Sequence, residues 1–387
     1  MSDLKQPAFG EQEYHRRVHR VQERMRVEGL DAILCTSLAN ICYLTGVESP
    51  SVHATWLALL EAEGDPTLLC VDFESHNARV FSWLKDWRTV PLGGDHLSAA
   101  VQLITDRKLA GKRVTIEGGR FSSLTAQNHQ DLRPRLDGVE LVETTELIER
   151  VRSVKSDAEV AYMRQAGEIS ARAMRAAIDT AAEGVTDNDL AAAAYQSMIA
   201  AGSEYPCYPV FVTAGERSGI PHTTFRRRRL RRADPVFLEV GACICRYSSP
   251  ILRTAVIGEP SDQVRRMADA CCASVNTMID TIRPGLAADE VARTASSCLD
   301  HLPAGLVWHG YFGYSVGLGF SPTWSDCVGI HISMDNPTVL EPGMTYHCST
   351  SLRDPGRCGT TCSETVLITD SGCDVLTGDL PRQLFVR

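Results

Sequence analysis

Leu147-Ile-Glu-Arg-Val-Arg-Ser-Val-Lys-Ser-Asp-Ala-Glu159 is where the chain changes character. It is a charged connection that leads into a long helical pattern over residues 158–182, rich in Ala, Met and Arg. A Ser or Asp just ahead of such a run can accept the first unpaired amide hydrogens, so Ser156 or Asp157 is expected to cap the helix. The connection divides the 387 residues into two parts, 1–153 and 154–387, each long enough to bury its own apolar core.

On the N-terminal side, residues 12–28 place Val18, Val21 and Met25 on one face with charge around the rest, the pattern of an amphipathic surface helix. Gly29 stops it, Asp31–Thr36 reads as a buried strand, and Ile41–Gly46 closes the unit. Strands at Thr55–Leu60, Pro66–Val71 and Arg113–Glu117, with helices near His76–Leu84 and Leu97–Lys108, predict an alternating α/β domain. On the C-terminal side helices follow at Asp187–Ala201, Gln263–Arg283 and Ala288–Leu302. Strands are expected at Pro209–Thr213, Pro235–Ala242, Leu252–Ile257, Gly343–Ser349 and Ser363–Thr369. The order helix, helix, strands occurs twice, which predicts two similar α+β halves facing each other across a curved antiparallel sheet.

Composition narrows the function. With 44% hydrophobic and 22% charged residues the chain is neither disordered nor fibrous. A net charge of −9 repels a phosphate backbone and disfavours nucleic acid as a partner. The run Phe225–Arg232, six Arg in eight residues, is then a solvated face or a dimer contact. The start, Met-Ser-Asp-Leu-Lys-Gln, has no signal pattern, and no apolar run of about 18 residues occurs, so a cytoplasmic protein with no membrane partner is expected. The fourteen Cys are scattered through helices and strands without zinc-site spacing and read as free thiols.

Five pieces in order resemble the creatinase, prolidase and aminopeptidase-P superfamily over nearly the whole chain. The opening helix and strand with Tyr-Leu-Thr-Gly (43–46) look like its small N-terminal domain, and 151–159 looks like its interdomain signature. Ile-Arg-Pro-Gly (282–285) and Leu-Glu-Pro-Gly-Met (340–344) match its catalytic domain. The resemblance implies a creatinase-type α/β N-terminal domain and an α+β "pita-bread" catalytic domain. It also implies a homodimer in which one subunit's small domain often closes the partner's site.

Peptidases of this superfamily hold two metal ions with two Asp, one His and two Glu, since a bridging hydroxide needs hard oxygen ligands on both cations. Carried onto this sequence, those positions are Glu239, Pro250, Tyr314, Ser349 and Ser363. Only one keeps a carboxylate, so no metal and no other cofactor is expected. The replacements, in 245–254, 313–324, 343–347 and 363–369, are similar to the metal-free branch of ectoine hydrolase and creatinase, which cleave a C–N bond in a small solute. The chain departs from that branch at 47–53, where ectoine enzymes carry an aromatic-rich segment, and at Ser349, where creatinase keeps Glu.

Metal-free hydrolysis needs one group to activate water or attack and another to protonate the departing nitrogen. His222, in Gly-Ile-Pro-His, matches a superfamily His that faces the reacting group, and an imidazole can take and return a proton near neutrality. Glu239 interrupts an apolar strand, where an unpaired carboxylate is costly. It could orient a cation, act as base or attack the substrate. Tyr247, Tyr314, His347, Glu364, Phe320 and Trp324 are candidate substrate-binding residues, Tyr314 as a donor to oxyanion charge and Glu364 as a partner for a cation or for Arg253. His309 and His331 flank the same segment. The expected function is metal-independent hydrolysis of a C–N bond in a small polar cyclic amidine, guanidino or amide solute. A non-catalytic binding protein, a lyase and a metal-dependent Xaa-Pro peptidase are the alternatives.

Overall fold

The structure, a computed structural model, describes residues 5–51, 55–85, 87–118, 122–327 and 329–387. The first four residues of the start discussed above, and 52 and 53 of the segment 47–53, lie outside the described residues. The chain forms two compact units, one ending at Arg152 and the other beginning at Ser153.

The first unit runs α1 (Glu11–Val27), β1 (Ala32–Cys35), α2 (Leu38–Thr45), β2 (Trp56–Glu61), β3 (Thr67–Val71), α3 (Ser75–Phe81), β4 (Trp87–Val90), α4 (His96–Asp106), β5 (Arg113–Ile116), α5 (Ala126–Leu132), β6 (Glu140–Leu141) and α6 (Leu147–Ser153). Its sheet has the order β4-β3-β2-β1-β5-β6, with β1 antiparallel to β2 and parallel to β5. Val18, Val21 and Met25 on α1 are buried as their spacing requires. Gly46 ends α2 at φ +79°, and a Cβ there would meet the Tyr14 ring and the Phe81 carbonyl, so only glycine fits.

The second unit opens with α7 (Asp157–Thr180) and α8 (Asp187–Ala200). Ser156 caps α7 by accepting the Glu159 amide at 3.2 Å, while the Glu159 carboxylate accepts the Ser156 amide at 2.8 Å. Next come β7 (Phe211–Ala214), β8 (Pro235–Ile244) and β9 (Tyr247–Val256), then α9 (Asp262–Thr281) and α10 (Ala288–Ser296). The chain finishes with β10 (Val307–Trp308), β11 (Gly313–Ser315), β12 (His331–Ile332), β13 (Thr345–Asp354), β14 (Cys358–Ile368), β15 (Cys373–Val375) and β16 (Leu384–Val386). One sheet is β16-β9-β8-β7, antiparallel apart from the β16 edge; the other is β12-β11-β13-β14-β15, antiparallel throughout. They meet along β9 and β14, where the Leu252 amide donates to Ser363 Oγ at 2.7 Å and the Thr361 amide to Thr254 Oγ1 at 2.7 Å. Helices α7 and α8 cover the first sheet around Val236, Leu238, Val240 and Ala242. Helices α9 and α10 cover the second around Tyr346, Cys348 and Leu352. The opposite faces of β8 and β13 are thus left for chemistry.

The expected helix over 288–302 stops at Ser296 and passes into a 3₁₀ turn at Ser297–Leu299. Strands β13 and β14 extend beyond the expected 343–349 and 363–369, because Ser, Thr and Cys there alternate between faces as apolar residues would. No helix among the described residues is long and apolar enough to cross a membrane. Among the described residues the fourteen Cys are thiols, with no disulfide between them. The arginine run folds as a turn: the Arg226 and Arg228 amides donate to Asp187, and the Arg228 guanidinium bridges Asp234 and Glu216.

Gly167 marks the tightest helix approach to the C-terminal segment, since a Cβ there would overlap the Leu376 carbonyl. Gly167→Ala should destabilise the unit: the gain of about 1 kcal/mol in helix propensity loses to about 3 kcal/mol of overpacking. Urea denaturation is expected to show a lower midpoint. A raised midpoint would contradict the close approach.

Candidate active site

Strand alternation decides which side chains can meet. With Val236, Leu238, Val240 and Ala242 in the helix-covered core, Phe237, Glu239, Gly241 and Cys243 point to the other face. Glu239 stands opposite Phe211 and Leu252 there, and its carboxylate accepts no hydrogen bond among the described residues. It is only partly exposed, and burial pushes its carboxyl up to about 7, opposed by the charge of Arg353. On β13 the same alternation sends His347, Ser349, Ser351 and Arg353 to the side opposite the covering helices, here called the cavity side.

Tyr314 on β11 pairs across the sheet with His347. Trp324 Nε1 donates to Tyr314 Oη at 2.9 Å, Tyr314 Oη lies 2.8 Å from His347 Nδ1, and His347 Nε2 lies 2.6 Å from Ser363 Oγ. With Leu252 donating to Ser363, a continuous polar chain runs from Trp324 to β9. Burial pushes the His347 imidazole down to about 3, so it is neutral near pH 7. Burial raises the phenol of Tyr314, with the Glu239 charge next, and Tyr208 and Tyr311 are raised in the same way. Glu239 therefore faces an aromatic cluster: Tyr208 packs on Trp324 at 5.1 Å, and Tyr311 meets Tyr314 edge-on at 5.9 Å.

His222 lies on the turn after the 3₁₀ segment Gly215–Gly219, with φ +54°, and is exposed. It makes no hydrogen bond to Glu239. His309 connects the two regions, its imidazole lowered by the surrounding protein and then by the charges of Arg353 and His222. The structure brings together Glu239, Tyr314, His347 and Trp324, and places His222 at the rim beside His309.

Three other candidates go elsewhere. Tyr247 is fully buried on the helix-facing side, where its hydroxyl donates to Glu159 at 2.7 Å and its ring stacks near Tyr162. Glu364, also on the far face, is paired with Arg253 at 2.5 Å, bonded by Thr377 and 3.4 Å from Arg382. Phe320 packs near Arg246, whose guanidinium contacts Cys207 at 3.0 Å. Tyr247 and Glu364 fall one residue out of phase with the cavity-facing set, which is why they become structural rather than substrate-binding. Tyr208, Tyr311 and Arg353 were missed as candidates. Arg353 was legible, since it continues the alternation of His347 and Ser349.

The donor set does not fit a pair of divalent cations. Of the five corresponding positions only Glu239 is anionic; Pro250 offers no side-chain donor. Tyr314 and Ser363 are engaged in the polar chain, and no group of three His, Cys, Asp or Glu suited to a metal occurs among the described residues.

The family model for metallopeptidase family M24 matches residues 161–370, and that for the creatinase/prolidase N-terminal domain matches 17–154. An uncharacterized hydrolase/peptidase of Sinorhizobium fredii is 31% identical, covering 98% of both chains. Ectoine hydrolase of Halomonas elongata is 26% identical, again over 98% of each. An Xaa-Pro dipeptidase of Pyrococcus horikoshii is 26% identical over 93% of this chain and 96% of its own. Among solved structures, the prolidase of Thermococcus sibiricus superposes with a TM-score of 0.85 over 98% of this chain and 100% of that one, at 20% identity, a likeness of fold alone. With its cavity-facing strands, two-unit architecture and both family models in register, this chain belongs to metallopeptidase family M24, a family of hydrolases, and carries the creatinase/prolidase N-terminal domain.

Proposed function

We propose that this chain hydrolyses a C–N bond in a small polar solute, a cyclic amidine, guanidino compound or amide, without a metal ion. The observation that carries this reading is Glu239: a carboxylate on the cavity face, unpaired among the described residues and raised to about 7, where metal-dependent relatives need a full set of metal ligands. The similarity to ectoine hydrolase over 98% of both chains supports it. In the ionised state Glu239 holds the cationic substrate, activates water or attacks the carbon. His222, at the rim, exchanges protons with the departing nitrogen. Tyr314 donates toward oxyanion charge while Trp324 shapes the wall. We take 1–153 and 154–387 as the domains of a cytoplasmic homodimer that has no nucleic-acid or membrane partner.

Chelator-dialysed protein offered ectoine, hydroxyectoine, creatine and an Xaa-Pro dipeptide tests the reading by mass spectrometry. The expected result is the gain of one water by one of the three non-peptide solutes, in a single ring-opened product from ectoine or hydroxyectoine or as the sum of two fragments from creatine, at a rate unaffected by chelator. Dipeptide cleavage that returns only with added metal would establish the peptidase instead. Products without added water would establish a lyase.

A further inference from the structure

Arg353 is a half-buried guanidinium on the face of β13 turned away from the helices, with no carboxylate within 4.0 Å among the described residues. Its neighbours show what holds it. One nitrogen, Nη1, donates to the Ser218 carbonyl at 2.7 Å, and the guanidinium carbon lies 4.4 Å above the Phe237 ring. Ser218 is itself fixed, because its hydroxyl accepts the Gly359 amide at 2.8 Å and donates to the Gly215 carbonyl at 2.6 Å. A guanidinium has five N–H donors in a rigid fork, and here the Nε and Nη2 edge has no acceptor among the described residues. Burial lowers the Arg353 pKa and the charge of Glu239 raises it, so the carboxylate lies within its field without forming an ion pair.

Such an arrangement is costly for the free protein, since a desolvated cation normally finds an anion. Phe237 and Glu239 are two residues apart on one strand face, so Arg353 and Glu239 address points about 7 Å apart along β8. One small molecule can span that distance.

Building on the hydrolase reading above, we infer that Arg353 receives a carboxylate of the substrate, through its Nε and Nη2 edge, while Glu239 faces the substrate's cationic C–N group. The substrate is then a compact zwitterion, and Arg353 sets specificity. A planar fork binds a carboxylate through two parallel bonds, which fixes the molecule's orientation as well as its charge. Stacking on Phe237 and the bond to Ser218 hold the fork rigid before substrate arrives, so little side-chain freedom is lost on binding. Lys could supply the charge at 353 but not the two-point geometry.

The test uses two rings that differ in one group: the six-membered cyclic amidine bearing a carboxylate (ectoine) and 2-methyl-1,4,5,6-tetrahydropyrimidine, which lacks it. Both kcat/KM and calorimetric affinity are measured for the wild type, Arg353→Lys and Arg353→Met. The wild type is expected to favour the carboxylated ring by about 30- to 100-fold, the range of a hydrogen-bonded charge pair. In Arg353→Met that ratio should fall close to one through loss on the carboxylated ring alone, with Lys intermediate. Equal wild-type preference for the two rings overturns the assignment of Arg353 while leaving the hydrolase reading standing. If neither ring is turned over, the hydrolase reading fails for amidines, and affinity decides the Arg353 assignment by itself. Carboxylate-dependent binding lost in Arg353→Met upholds it; no binding, or binding indifferent to the carboxylate, overturns it.

Discussion

Glu239→Gln should lower turnover by about 10⁴-fold and at the same time stabilise the fold at alkaline pH. The two effects have one origin. The native carboxyl is pushed up to about 7 by burial, whereas in the unfolded chain it titrates near the ordinary glutamate value. At pH 8 both states are ionised, and only the native state bears the cost of holding the charge away from water. As pH falls from about 7 toward about 4.5 the native state takes up a proton before the unfolded one, so this group's contribution turns more favourable toward acid. Glutamine has no charge at any pH. The variant should therefore be more stable than the wild type by about 2 kcal/mol at pH 8, with the difference fading as pH drops toward 4.5.

The same titration should appear in catalysis. If ionised Glu239 does the work, wild-type kcat/KM rises with pH through about 7, since that ratio reports the free enzyme. The corresponding limb in kcat should lie lower, because a bound amidinium beside the carboxylate favours its charged form. Urea melts at pH 5 and 8 with pH–rate profiles check both halves. Retained turnover in Glu239→Gln, or a variant less stable than wild type at pH 8, would remove Glu239 from the centre of the site.

Much of this architecture was legible in the residues. The capping Ser156, the long α7 and the apolar alternation of β8 follow from local physics, because each pattern has a single low-energy way to bury its apolar face. Glu239 stood out for the same reason, as a charge breaking an apolar strand. What escaped was phase. Tyr247 and Glu364 carry suitable chemistry, yet a strand reverses its face with every residue, and only the register of Cys348 against Glu364 and of Ile244 against Tyr247 shows that both point away from the cavity. Tyr208 and the seating of Arg353 on Phe237 escaped for a different reason: Trp324 and Phe237 are distant from them in sequence, so only the folded chain places them together.

Tyr314→Phe is the second large expected effect, a loss of about 10²- to 10³-fold in kcat with little change in KM. Trp324 Nε1 can only donate, so it fills one lone pair of Tyr314 Oη. His347 is neutral, and one ring nitrogen carries the proton. If that nitrogen is Nε2, it donates to Ser363, and Tyr314 spends its own hydrogen on Nδ1. If it is Nδ1, it donates to the remaining lone pair of Tyr314, and Ser363 donates to Nε2 while still accepting the Leu252 amide. Every partner is then satisfied, and the Tyr314 hydrogen is left to point into the cavity. The ionised Glu239 favours this second tautomer, because the positive end of the O–H dipole turns toward negative charge. Phenylalanine removes that donor and leaves Trp324 Nε1 without its acceptor, at a cost of about 1 kcal/mol in stability. Ser363→Ala keeps the phenol but removes the partner of Nε2 in either tautomer, so the preference for the second weakens without vanishing and kcat should fall only about tenfold. Steady-state kinetics with urea melts on both variants separate the cases: a Tyr314→Phe enzyme that loses stability but keeps its kcat would show the chain of hydrogen bonds to be architecture alone.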